Sequence, residues 1–187
     1  MSQATVFPFW IIRLSLVMTM WLTLVGAALA KNPILEAFEG VYSGSAQVVS
    51  SSGEEANRDM SVEIAETKAG FSVAWSTTSI RADGSINEKD YLIEFVPSER
   101  DGVFAAAMER NVFGHEVQLD PMKGEPFVWA RIQNGTLSVF SLFVDEAGDY
   151  ELQQFDRSLA EGGLQLDFKA VRNGETTRTV STFLAKE

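Results

Sequence analysis

Beyond residue 58 the chain alternates apolar and polar side chains with a period of two. Met60, Val62 and Ile64 interleave with Asp59, Ser61 and Glu63, and Phe71, Val73 and Trp75 with Ser72, Ala74 and Ser76. Tyr91, Ile93 and Phe95 follow, then Phe127, Trp129 and Arg131 opposite Val128, Ala130 and Ile132. Leu164, Leu166 and Phe168 alternate with Gln165, Asp167 and Lys169, and Val180, Thr182 and Leu184 close the series. This is the pattern of antiparallel strands packed on one face and wet on the other. A single helical turn fits residues 33–38; nothing after it sustains a helical stripe.

Turn formers separate the alternating runs. Asn134-Gly135 and Asn173-Gly174 suit the positive-φ pair of a type I′ hairpin. Ala69-Gly70, Ala82-Asp83-Gly84, Ala147-Gly148-Asp149 and Glu161-Gly162-Gly163 mark further turns. The spacing predicts about ten strands, starting near Gly40, Arg58, Gly70, Lys89, Gly102, Phe127, Thr136, Asp149, Gly163 and Glu175. Short links make successive strands neighbours. Such a meander has two bare edges unless it closes, so the expected fold is all-β, an antiparallel up-and-down barrel of about 8–10 strands. Residues 111–126, with Gly114, Pro121, Gly124 and Pro126, are too irregular for one strand and read as a rim loop or lid.

The N-terminus has a different pattern. Residues 1–30 carry one charge, Arg13, then an apolar run from Leu14 to Val25, then Gly26-Ala27-Ala28-Leu29-Ala30. Small side chains at Ala28 and Ala30 fit a secretory signal cleaved before Lys31; an uncleaved anchor is the other reading. The expected organisation is a signal helix over 1–30 and a single barrel domain over 31–187, periplasmic or secreted, with no membrane span in the mature chain.

Composition narrows the chemistry. The chain has 26 acidic and 15 basic residues, a formal charge of −11, one histidine and no cysteine. Without cysteine there is no disulfide, thiolate metal site or acylated lipoprotein anchor, and His115 alone could supply an imidazole. The excess of acid and the scatter of basic residues argue against nucleic acid or anionic membrane as partner. Folding without disulfides suits a periplasm.

Phe38-Glu39-Gly40-Val41-Tyr42, a turn running into a Gly-x-aromatic strand start, resembles the opening of lipocalin-type (calycin) barrels, and Lys89-Asp90-Tyr91-Leu92-Ile93-Glu94-Phe95 resembles their second motif. Here Tyr42 stands in place of tryptophan, and the second motif arrives about three strands early. The resemblance implies a barrel plugged at its base by a helical turn, with Arg178 on the last strand covering the plug aromatic.

Candidate ligand-binding residues, at the lumen or rim, are Trp75, Tyr91, Trp129, Arg131, Tyr150 and Phe168. Arg131 shares a face with Phe127 and Trp129 and could anchor an anion at the end of an aromatic pocket, or equally make a structural cation–π contact. Gly44, Ala46 and Ser141, if inward, would leave room in the lumen. His115 in Gly114-His115-Glu116 reads first as a solvated lid-loop residue, with a haem or metal ligand or a pH-sensitive latch as the functional alternatives. No catalytic motif, cofactor fingerprint or metal-ligand spacing is present, so no catalytic residue, metal or cofactor is nominated. Four functions fit a barrel. In order, these are carriage of a small apolar or amphipathic ligand, an envelope protein with a filled core acting through its outer surface, an enzyme on a calycin-like barrel, and an outer-membrane barrel.

Overall fold

The alternating runs fold as strands that close on themselves. The structure, a computed structural model, describes residues 33–49, 55–81, 83–107, 109–110, 116–117 and 119–187. The expected signal helix over 1–30 lies outside the described residues. Residues Pro33–Glu187 form one compact unit. It begins with a helical turn, α1 (Pro33–Glu36), followed by β1 (Gly40–Val49), β2 (Glu55–Glu66), β3 (Phe71–Arg81), β4 (Ile86–Pro97) and β5 (Val103–Ala106). A small ribbon, β6 (Glu109–Arg110) and β7 (Glu116–Val117), precedes β8 (Phe127–Gln133), β9 (Thr136–Val144), β10 (Tyr150–Ala160), β11 (Gly163–Arg172) and β12 (Glu175–Lys186).

Among the described residues, the barrel order is β1-β12-β11-β10-β9-β8-β5-β4-β3-β2, all neighbours antiparallel. The up-and-down barrel is therefore as expected, and five strands start at the residue the turn spacing predicts: Gly40, Phe127, Thr136, Gly163 and Glu175. Asn134 and Asn173 take positive φ (52° and 49°), the geometry that Asn-Gly hairpins require. Within 111–126 the described residues include β7 and a 3-10 turn, Pro121–Lys123, capped by the Asp120 carboxylate, which accepts from Met122 N at 3.0 Å.

Successive strands alternate between the two ends of the barrel. One end carries α1, the β2–β3, β4–β5, β8–β9 and β10–β11 turns and the C-terminus. This end is sealed. Leu35 and Phe38 from the α1 segment are buried with Tyr42, Val62, Ile64, Phe71, Val73, Phe95, Phe104, Leu137, Leu164 and Leu184. Phe71 stacks on Phe95 with 5.1 Å between ring centres and meets Phe104 edge-on at 5.0 Å. Each such ring buried contributes roughly 1.5–3 kcal/mol.

The closing seam runs between β1 and β12, with Tyr42 opposite Lys186 and Ser43 opposite Ala185. Past that pair the strands crowd together: a Cβ on Gly44 would meet the Phe183 carbonyl oxygen at 2.4 Å. Gly44 thus serves the closure, not a hollow lumen. The plug aromatic is Tyr42, whose hydroxyl donates to Phe38 O at 2.9 Å. The cation over it is Lys186, with Nζ 5.5 Å from the ring centre. Arg178, expected in that role from the lipocalin resemblance, instead lies over Phe168 at 5.1 Å.

The outer wall mixes polar positions with exposed apolar ones, Val41, Leu92 and Phe183 among them. Ser43, Ser45, Asn57, Asp59, Glu63, Glu88, Asp90, Gln165, Asp167, Lys169, Thr179 and Ser181 occupy outward register positions. Among the described residues no helix is long and apolar enough to cross a membrane.

Candidate functional site in the barrel lumen

On β3 and β4 exposure along the inward face rises from the sealed end to the other, whereas on β11 Phe168 and Ala170 stay buried. On β4, Phe95 is 0% exposed and Tyr91, four residues toward the far end, is 47% exposed. On β3, Phe71 and Val73 are buried, while Trp75, Thr77 and Ser79 are half-buried. The lower half of the lumen is thus core, and along β3 and β4 the upper half grades toward solvent. The β9–β10 and β11–β12 turns lie at that upper end.

Four aromatic side chains cross the lumen where the two halves meet. Tyr91 and Trp75, paired in register, stack at 5.0 Å; Trp75 reaches Phe155 at 5.6 Å, and Phe155 touches Phe168 at 4.7 Å. Since β3 and β10 stand on opposite sides of the barrel, the Trp75–Phe155 contact spans it.

Three arginines share this inward face. Arg157, two residues after Phe155 on β10, is 2% exposed. Its guanidinium lies 5.8 Å from the Trp75 ring and 5.6 Å from the Phe155 ring. Its Nε and Nη1 have no hydrogen-bond partner. Burial pulls its pKa down to about 10, with the Asp156 charge opposing, so it stays protonated at neutral pH. Arg58 on β2 and Arg178 on β12 lie nearer the open end, each with a buried Nε that has no partner. Burial, and then the charge of Arg178, lowers the pKa of Arg58. Among the described residues no carboxylate forms an ion pair with any of the three. Glu151, on the inward register of β10 near the rim, instead accepts from Gln153 Nε2 at 2.6 Å.

The residues singled out from sequence divide between the two faces. Trp75, Tyr91 and Phe168 are inward and belong to the aromatic ladder or border it. Trp129 and Arg131 are outward, because Val128, Ala130 and Ile132 take the buried positions of β8. Ala130 sits between Phe104 and Val139 in register, so the small residue is the one facing the packed core. Trp129 stacks on Phe140 at 4.9 Å and touches Phe127 at 5.7 Å, while Arg131 lies 5.9 Å from the Phe140 ring. Arg131 therefore makes the structural cation–π contact on the outer wall, and the arginine beside lumen aromatics is Arg157. Tyr150 is outward at a hairpin base, its N–H donating to Asn173 Oδ1 at 3.0 Å. His115 lies outside the described residues.

Sequence reasoning missed Arg58 and Arg157 and gave Arg178 a different role. The signal was present for Arg157. Phe155 and Arg157 are two apart, so a strand that buries one turns the other inward.

A depression of about 480 Å³ also lies on the outer wall over β1–β4, bordered by Val41, Glu63, Asp90 and Leu92. Its floor is small because Ser61 and Ser76 face outward there, their hydroxyls 2.8 Å apart.

No protein-family model, curated protein or solved structure matches the chain.

Proposed function

We propose that the chain is an exported barrel that holds a small amphipathic molecule in the upper half of its lumen. The observation that carries this reading is the Tyr91–Trp75–Phe155–Phe168 ladder, set where a sealed core gives way to half-buried inward side chains. Apolar surface laid on those rings is removed from water at about 25 cal/mol per Å², and a few polar groups then orient the ligand. Export rests on residues 1–30, whose charge, apolar run and Ala28-Leu29-Ala30 ending fit a cleaved signal.

The second reading is an envelope protein that works through its outer surface. The outward Phe127–Trp129–Phe140 cluster favours it, since three aromatic rings on a wet face form a contact patch.

Native mass spectrometry separates the two. The full chain is expressed and the protein recovered from the periplasm without refolding. The carrier reading expects a mass short of residues 1–30 and an adduct on the order of a few hundred daltons, the size a lumen of this class holds, lost on denaturation. A bare mass, together with unchanged tryptophan emission when amphiphiles are added, would remove the carrier reading and leave the outer surface. A mass retaining residues 1–30 would remove the cleaved signal.

A further inference from the structure

We propose that Arg157, with Arg58 and Arg178 toward the mouth, forms an anion seat inside the barrel. The ligand would then carry a carboxylate, sulfonate or phosphate head on an apolar body. This rests on the carrier reading and specifies its ligand.

Three observations support it. The first is the unmet donors. The Trp75 and Phe155 ring centres lie 5.8 and 5.6 Å from the Arg157 guanidinium carbon, but a ring face offers its N–H groups no oxygen acceptor. Nε and Nη1 are buried and have no acceptor, and Nε of both Arg58 and Arg178 is in the same state. Buried donors normally find partners. An oxyanion has the in-plane acceptor pair that a guanidinium edge matches, with charge to offset the desolvation.

The second is charge. The chain carries −11 overall, yet none of these three inward cations forms an ion pair among the described residues, and the one opposing charge felt by Arg157 is that of its neighbour Asp156. Arg58 and Arg178 are close enough for each other's charge to matter, and like charges held together in a partly buried site are relieved by an anion between them. A barrel needing only a filled interior would be more stable with an apolar residue at position 157.

The third is depth. Arg157 sits four residues from the β10–β11 turn at the sealed end, while Arg58 and Arg178 are nearer the open end. Cations at the rim attract an anion toward the lumen, and the deepest one receives the head beside Trp75 and Phe155. An apolar body then lies along the ladder toward Tyr91. A free inorganic anion would use the same guanidinium edges without the ladder.

The test is a set of matched probes titrated into protein produced from the full chain and freed of bound material: decanoate, decyl phosphate, decanol and inorganic phosphate. Affinity is read by calorimetry and tryptophan emission. Decanoate and decyl phosphate are expected to bind at least about tenfold more tightly than decanol, a difference of about 1.4 kcal/mol. Arg157→Met should remove that preference and raise the Tm of the unliganded protein. Arg178→Met, a milder change nearer the mouth, should reduce the preference without removing it.

Equal binding of decanoate and decanol by the unaltered protein would overturn the anion seat and leave the carrier reading standing. Failure of all four probes to bind would overturn both. Inorganic phosphate binding as tightly as decyl phosphate, and lost in Arg157→Met, would support the seat and assign it to a free anion. Retention of the anion preference in Arg157→Met would overturn the role of that residue.

Discussion

Lys186 Nζ lies 5.5 Å from the centre of the Tyr42 ring and donates to the Glu39 carbonyl at 2.7 Å, so the last strand clamps the start of the first. The same side chain fills the space beside Gly40, whose φ is 144° and where a Cβ would meet Lys186 Cε at 2.7 Å. Closure here depends on one long cation and one residue without a side chain. Lys186→Ala is expected to cost about 1 kcal/mol, from a cation–π contact and one charge-assisted hydrogen bond at an exposed site. Gly40→Ala is expected to cost about 1–3 kcal/mol from backbone strain, plus the clash. In a double-mutant cycle by urea denaturation, Gly40→Ala should cost less when Lys186 is already alanine. A fully additive cycle would show that the two do not share the seam.

The division of the lumen into core and mouth predicts unequal penalties along β4. Phe95, with 0% exposure, contacts Phe71 in the sealed half, and Phe95→Ala should cost about 3–5 kcal/mol, the transfer and cavity cost of a buried aromatic. Tyr91 is 47% exposed and stacks on Trp75. Tyr91→Ala should cost about 1 kcal/mol or less, close to the value of one aromatic pair. Thermal denaturation of the two variants measures the contrast, and similar Tm losses would mean that the upper half is packed as tightly as the lower.

At the open end, the β9–β10 and β11–β12 turns are joined by charge. Arg172 Nη2 donates to Asp145 Oδ2 at 2.5 Å and to Asp149 Oδ2 at 3.2 Å. The Asn173 side chain, then Arg172, holds the Asp149 carboxyl below the ordinary value of 3.8. A carboxylate depressed in the folded state adds stability above its unfolded pKa and loses it as pH falls through the folded one. The Asp149 arm of the clasp should therefore persist at neutral pH and loosen only in acid below 3.8. Both partners are exposed, so the global Tm should move little. In a pH titration of carboxyl shifts by NMR, Asn173→Ala should bring the Asp149 midpoint up toward its ordinary value. An unmoved midpoint would rule out the Asn173 contribution.

The strands were legible because their signals are local. Period-two alternation and Asn-Gly turns each depend on residues a few positions apart, which is why Thr136 and Glu175 open strands where the turns demand. Facing was harder wherever both faces carry apolar bulk. On β8, Phe127 and Trp129 are larger than Val128 and Ala130, and size alone points the wrong face inward. What decides is Phe104 on β5, which occupies the space opposite Ala130. That is a tertiary fact, invisible in the alternation of one strand. The arginines were passed over for a related reason. A charged residue in a strand reads as solvent-facing, and only the register through Phe155 turns Arg157 inward. The position of Arg178 over Phe168, and not over Tyr42, likewise depends on the offset between β12 and β1.

The two faces of the wall can be separated with the two tryptophans of the barrel. Trp75 lies on the ladder beside Arg157, and Trp129 lies outside against Phe140. A ligand in the lumen should change the emission of Trp75 alone. Trp129→Phe is expected to keep both the binding curve and the fractional change in the remaining signal, and Arg131→Ala to leave affinity as it was. Trp75→Leu should abolish the emission response and weaken binding by about tenfold, because one stacking surface of roughly 1–1.5 kcal/mol is gone. Calorimetry on the same variants checks the affinity without relying on either fluorophore. The reverse pattern, with Trp129→Phe and Arg131→Ala losing affinity while Trp75→Leu keeps it, would move the site to the outer wall. The Phe127–Trp129–Phe140 cluster would then be the contact surface, and the lumen arginines would have no part in binding.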